Sequence, residues 1–201
     1  MAGEFNLGAL IDLDRDRDRV LITDLADSDQ PRTWTGAELE AACQALARGL
    51  ARRDLERGDR VAILSENRIE FVIAYLAVMR AGFVAVPVNH KLAPATVRYV
   101  LADANVRFVF ADAARLTLCP PEIPAVCFDD ADAYRALMDP GDHDPVQTSP
   151  DEVAMFLYTS GSTGQPKGVP LTHVGHLWVA RKRIVPGQDY AYEQILVAAP
   201  L

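Results

Sequence analysis

Tyr158-Thr159-Ser160-Gly161-Ser162-Thr163-Gly164-Gln165-Pro166-Lys167-Gly168 follows the apolar run Val153 to Leu157 and precedes Val169-Pro170-Leu171-Thr172-His173. It reads as a strand feeding a loop that holds phosphate. Glycines let the backbone turn tightly and bring its N–H groups close to an anion, the hydroxyls of Thr159, Ser160, Ser162 and Thr163 add donors, and Lys167 adds a mobile positive charge. The Walker pattern G-x-x-x-x-G-K-[ST] does not describe this stretch. Counted from Gly161, Pro166 stands where the second glycine belongs, and Gly168 where the Mg²⁺-binding hydroxyl belongs. Ser/Gly/Thr-rich stretches are ordinarily plain flexible connections, and a lysine beside one is ordinarily a solvated charge.

Working upstream, strand-like and helix-like patterns alternate. Thr35-Gly36-Ala37-Glu38 has the form of a capping box, and Leu39, Ala42, Cys43, Leu46 and Leu50 recur at helical steps, with Glu40, Gln44 and Arg48 expected to face water. Val61 to Leu64 is a continuous apolar run, as when both faces of a parallel strand are covered. Ser65 and Asn67 are candidate caps for a helix carrying Ile69, Val72, Ile73, Leu76 and Met79, which ends at Gly82 before the strand Phe83 to Val88. Pro94 opens a helix with Val97, Val100, Leu101 and Ala104, followed by strands at Val106–Phe110 and Ala125–Phe128. This βαβ alternation predicts an α/β domain with a mainly parallel sheet and flanking helices, its ligands lying beyond the carboxyl ends of the strands. Val20–Thr23 and Arg32–Trp34 suggest a small hairpin ahead of it.

Other stretches are read more blandly. The alternating charges of Asp12 to Arg19 are expected to form a solvated surface, as are the Pro/Asp/Gly-rich segment 139–150 and its His143. Thr172 is positioned to cap a helix whose end carries Arg181-Lys182-Arg183. Ile195 to Ala199 reads as a buried strand, and self-association is expected if nothing covers it.

Composition narrows the function. The 201 residues are half apolar, enough to bury a sizeable core, and a net charge of -8 argues against a nucleic-acid partner. No apolar run approaches the ~20 residues of a membrane span, and Met1 to Leu10 lacks the order of a secretory signal, so the expected location is cytoplasmic. Cys43, Cys119 and Cys127 lack metal-ligand spacing and are expected to be free, buried thiols. His173 and His176 stand at helical spacing, but no Cys, Asp or Glu beside them completes a metal shell.

The string YTSGSTGQPKGVPLTH, Tyr158 to His173, resembles the signature of the adenylate-forming superfamily, which contains acyl-CoA synthetases, the adenylation domains of peptide synthetases and luciferases. An ordered match of this length between two apolar segments outweighs the plain-linker reading. Thr33-Trp34-Thr35, Gly58-Asp59-Arg60-Val61-Ala62 and Ala81 to Asn89 also look like spaced motifs of acyl-CoA synthetases, so the resemblance covers nearly the entire chain. Pro87-Val88-Asn89 with Lys91-Leu92 is closer to the CoA-ligase version than to the proline-and-aspartate version of peptide synthetases.

The resemblance implies that residues 1–201 are part of a large N-terminal domain whose remainder, with the C-terminal domain, lies beyond Leu201. It implies an ATP-dependent carboxylic acid:CoA ligase using ATP, Mg²⁺ and coenzyme A, in which the acid's carboxylate attacks the α-phosphorus and the CoA thiol then attacks the acyl-adenylate. Thr159, Ser160, Gly161, Ser162, Thr163, Gly164 and Lys167 would hold the β- and γ-phosphates, with Lys167 catalytic and no metal ligand among them. The alternatives are an adenylation domain that loads a carrier protein and a nucleotide-binding module without catalysis. The family's adenine loop, ribose-binding aspartate, magnesium-binding acid and catalytic lysine are expected after Leu201, so the isolated chain is predicted to be inactive.

Overall fold

The computed structural model describes residues 6–26, 29–159 and 165–183. A 3-10 turn at Leu7–Ala9 leads into α1 (Leu13–Asp16), then β1 (Val20–Asp24), β2 (Arg32–Thr35), α2 (Gly36–Ala51), β3 (Arg60–Leu64), α3 (Ile69–Arg80) and β4 (Val84–Pro87). There follow α4 (Pro94–Asp103), β5 (Val106–Ala111), α5 (Ala113–Leu116), β6 (Ala125–Cys127), α6 (Ala131–Leu137), β7 (Val153–Thr159), β8 (Lys167–Thr172) and α7 (His173–Arg183). β1 and β2 pair antiparallel as the expected hairpin. The main sheet has the order β6-β5-β3-β4-β7-β8 and is parallel except between β7 and β8.

The strand period distributes the core. Val61 and Ile63 of β3 join Leu46, Leu50, Ile73, Met79, Phe110 and Met155 on the face covered by α2 and α3. Ala62 and Leu64 join Val86, Val97, Leu101 and Val109 on the face covered by α4. Successive side chains of a strand point to opposite faces, so helices on both faces require an unbroken apolar run. The capping box forms as read: Thr35 Oγ1 accepts from Glu38 N–H at 3.3 Å, while Glu38 Oε2 accepts from Thr35 N–H at 2.8 Å. Gly82 takes φ +82° just after α3, the left-handed conformation that lets the chain reverse into β4.

Five expectations are corrected. Glu40, Gln44 and Arg48 do not face water, because segment 139–146 packs over that side of α2. Glu40 is buried and ion-paired with buried Arg80, Gln44 Nε2 donates to Glu40 Oε1 at 2.9 Å, and Arg48 Nε donates to Asp139 Oδ2 at 3.0 Å. His143 is half-buried in the same junction: its N–H donates to Gln44 Oε1 and its carbonyl accepts from Arg80 Nη1, at 3.0 and 3.1 Å. Within Asp12 to Arg19, Asp16 is buried and held by Arg15 at 2.6 Å, a pairing that lowers its pKa. Neither Ser65 nor Asn67 caps α3; the cap is Arg68, and Ile69 N–H donates to Asp24 Oδ2 of β1 at 3.3 Å. All three cysteines are free, but only Cys43 is buried; burial pushes its thiol up to about 12, whereas Cys119 and Cys127 are half-buried.

Candidate functional site

β7 leaves the sheet at its carboxyl edge, the side on which open α/β sheets bind ligands. It returns directly as β8, so the Gly-rich stretch joins two antiparallel strands and does not open a helix. Thr159 and Lys167 stand opposite each other at the mouth of this hairpin, and both are exposed. Lys167 has no ion pair among the described residues, which leaves its ammonium available. Ser160, Gly161, Ser162, Thr163 and Gly164 lie outside the described residues. The next pair is Tyr158 with Gly168, where a Cβ would come within 3.0 Å of the Tyr158 ring, so glycine lets the ring lie across the partner strand.

Tyr158 ties the hairpin to the end of α4. Its hydroxyl donates to Asp103 Oδ2 at 2.7 Å, and Tyr99 donates to Asp103 Oδ1 at 3.2 Å. Desolvation, then the Asp103 carboxylate, raises the pKa of both phenols and keeps them in the donor form. A groove of about 490 Å³ runs beside this tether, lined in part by Arg60, Asp103, Phe156, Tyr158 and Gly168. Sequence reading missed Asp103 and Tyr99. Their spacing fits one helix face, but Tyr158 lies 55 positions from Asp103, a contact no local spacing reveals.

The hairpin base is equally built. Thr172 Oγ1 accepts from Gly175 N–H at 3.1 Å and caps α7, as expected. Glu152, just before β7, takes a two-point ion pair from Arg57 at 2.7 and 2.6 Å, which lowers its pKa. On α7, Lys182 Nζ stands 5.6 Å from the Trp178 ring centroid, so its charge is engaged by its own helix. No cluster of three or more His, Cys, Asp or Glu able to hold a metal occurs among the described residues, and no described helix is long and apolar enough to cross a membrane.

The profile of the family described as AMP-binding enzyme matches residues 12–201, which include the whole hairpin. The chain belongs to the AMP-binding enzyme family. Among curated relatives of this AMP-binding enzyme, the 3-hydroxybenzoate--CoA/4-hydroxybenzoate--CoA ligase of Thauera aromatica is 37% identical over 158 residues, covering 71% of this chain and 30% of that protein. The nonribosomal peptide synthetase NPS2 of Ceriporiopsis subvermispora is 32% identical over 154 residues, covering 73% of this chain and 6% of its own length. Among solved structures, the N-terminal subdomain of Klebsiella oxytoca NpsA in complex with 3-hydroxybenzoyl-AMSN superposes with a TM-score of 0.69 at 32% identity, covering 86% of this chain and 41% of that one. The chain therefore spans well under half the length of these relatives, and its α/β fold with a mainly parallel sheet is that of their N-terminal domains.

Proposed function

We propose that this chain supplies the phosphate-holding part of an ATP-dependent carboxylic acid:CoA ligase, within a large N-terminal domain to which residues 1–201 contribute. The observation that carries the reading is the pairing of Thr159 with a Lys167 that has no ion pair among the described residues, at the mouth of a hairpin on the sheet's carboxyl edge, bracketing the family motif. ATP activates the acid as an acyl-adenylate, and coenzyme A takes the acyl group as a thioester. This chain's part is electrostatic: the Thr159 hydroxyl and Lys167 ammonium, with Ser160 to Gly164, steady negative charge that grows on the β- and γ-phosphates as pyrophosphate leaves.

The hydroxybenzoate ligase and the 3-hydroxybenzoyl complex of the relatives support benzoates as the first acids to try. A second reading, transfer to a carrier protein in place of free CoA, is supported by the peptide-synthetase relative and separates from the first in a coupled assay with free CoA.

The test is Lys167→Ala in the whole protein, assayed by acid-dependent ATP–pyrophosphate exchange. A group that meets charge developing in the transition state lowers kcat when removed, so kcat is expected to fall about 10²-fold or more with little change in KM for the acid. An unchanged kcat would remove Lys167 from the chemistry.

A further inference from the structure

His173, the first residue of α7, is 1% exposed, yet no metal-holding cluster among the described residues includes it. Its backbone N–H donates to the Glu152 carbonyl at 3.1 Å, closing the base of the hairpin. Its ring reaches the other end of the chain: Nδ1 accepts from the backbone N–H of Leu7 at 3.1 Å, across 166 positions. A backbone N–H only donates, so Nδ1 must be unprotonated and the imidazole neutral.

The turn that provides this N–H is itself immobilised. Asn6 and Leu7 are each 2% exposed, Asn6 Oδ1 accepts from Gly8 N–H at 2.8 Å, and Asn6 Nδ2 donates to the Val146 carbonyl at 2.9 Å. Gly8 lies so close against α3 that a Cβ there would stand 2.3 Å from Arg80 N and 2.5 Å from Leu76 O. The Leu7 N–H is therefore a fixed point on the far side of the hairpin base.

The hairpin needs such a point. The register between β4 and β7 is the single pair Ala85–Met155, while β7 pairs with β8 along its length, from Val153–Thr172 to Thr159–Lys167. From Thr172 to Lys167 the strand extends roughly 17 Å at about 3.4 Å per residue. Over that length a rotation of only a few degrees at the base moves Lys167 by about 1 Å, an error of position able to cost ~10²-fold in rate.

We propose that His173 is a positioning residue, which fixes the hairpin base to the N-terminal turn and thereby sets where Thr159 and Lys167 stand; the proposal rests on the adenylation reading of that hairpin. Charged groups facing the ring are Glu152, before β7, and Arg57, before β3. Burial lowers the ring's pKa; Glu152 opposes the shift and Arg57 adds to it, so the acceptor form persists at neutral pH and is lost on acidification.

Two substitutions in the whole protein test this. His173→Asn keeps a short acceptor without a titrating ring, and His173→Leu removes the acceptor. Hydrogen exchange at the Leu7 amide reports the anchor without any activity; ATP–pyrophosphate exchange reports its consequence. Leu7 protection is expected to fall in the wild type as pH drops below the ordinary imidazole range, to become independent of pH in His173→Asn, and to be lost at every pH in His173→Leu. In parallel, kcat should stay within about 3-fold of wild type in His173→Asn and fall on the order of 10²-fold in His173→Leu, with KM for the acid unmoved. If His173→Leu fails to fold, the wild-type and His173→Asn pH series still decide. Equal Leu7 protection in all three proteins across pH would overturn the anchor, and a folded His173→Leu with wild-type kcat would overturn its positioning role. Absence of exchange by the wild type would sink the adenylation reading, while the Leu7 amide would still answer for the anchor.

Discussion

Glu40 and Arg80 bury opposite charges between α2 and α3, with side chains only 9% and 4% exposed. Such a pair contributes little net stability over an apolar pair, but removing one partner strands the other. Glu40→Ala is expected to destabilise the protein by about 3–5 kcal/mol in urea titrations, and Glu40→Leu with Arg80→Met by much less. A double variant as unstable as the single would refute the pairing argument. Beside them, burial lowers the His143 pKa, helped by Arg80 and Arg48 and opposed by Asp144. A histidine depressed in the fold contributes full stability above its unfolded value, ~6.5, and stability falls as pH drops below that value towards the folded one. Unfolding curves between pH 7.5 and 5.5 should show this loss shrinking in His143→Asn; an unchanged slope would exclude His143 as a source. None of this was visible from spacing. Helical periodicity correctly placed Leu39, Cys43, Leu46 and Leu50 inside, but the partners of Glu40 and Arg48 come from segment 139–146, whose polar composition reads as solvent-exposed.

Among elements, strands and helices followed their local codes wherever one face met one layer: the Thr35 capping box, Pro94 in the first turn of α4, and the apolar runs of β3 and β5. Short α5 and α6 escaped because one or two turns carry too little periodicity, leaving only the Asp112 and Asp130 caps as signals. Of the β7–β8 hairpin the sequence revealed the first strand; that the chain returns alongside itself follows from the pairing of exposed Val169 and Gly168 with β7, not from an apolar pattern. Its tether to α4 is testable. Tyr158→Phe deletes the hydroxyl that Asp103 accepts and keeps the ring over Gly168. Amide protection of β8 should drop while that of β3 and β5 is unchanged, with a stability cost of about 1–2 kcal/mol for a hydrogen bond to a charged acceptor. Wild-type protection along β8 would show that the tether is dispensable.

Taken as a whole, the molecule presents the proposed phosphate-holding hairpin at one edge of its sheet, while the relatives it matches are more than twice its length. Transfer also requires the acid and the α-phosphate to be held in line, an orientation effect worth about 7–11 kcal/mol in well-aligned systems. The 201-residue chain by itself is therefore expected to show no acid-dependent ATP–pyrophosphate exchange when run beside the whole protein. Exchange at a comparable rate would mean that the adenylation site is complete within this chain.

The bond between Leu7 and His173 also has a timetable. On the ribosome Leu7 is made 166 residues before its partner, an interval on the order of ten seconds or more at about 5–20 residues per second. The β3–α3–β4 and β4–α4–β5 units, built from nearer neighbours, can be complete within that interval, since local contacts form early and long-range ones late. Until His173 emerges, the N-terminal turn has its Asn6 and Gly8 contacts to gather but no acceptor for Leu7, so the hairpin base closes later in synthesis than the β3, β4 and β5 units.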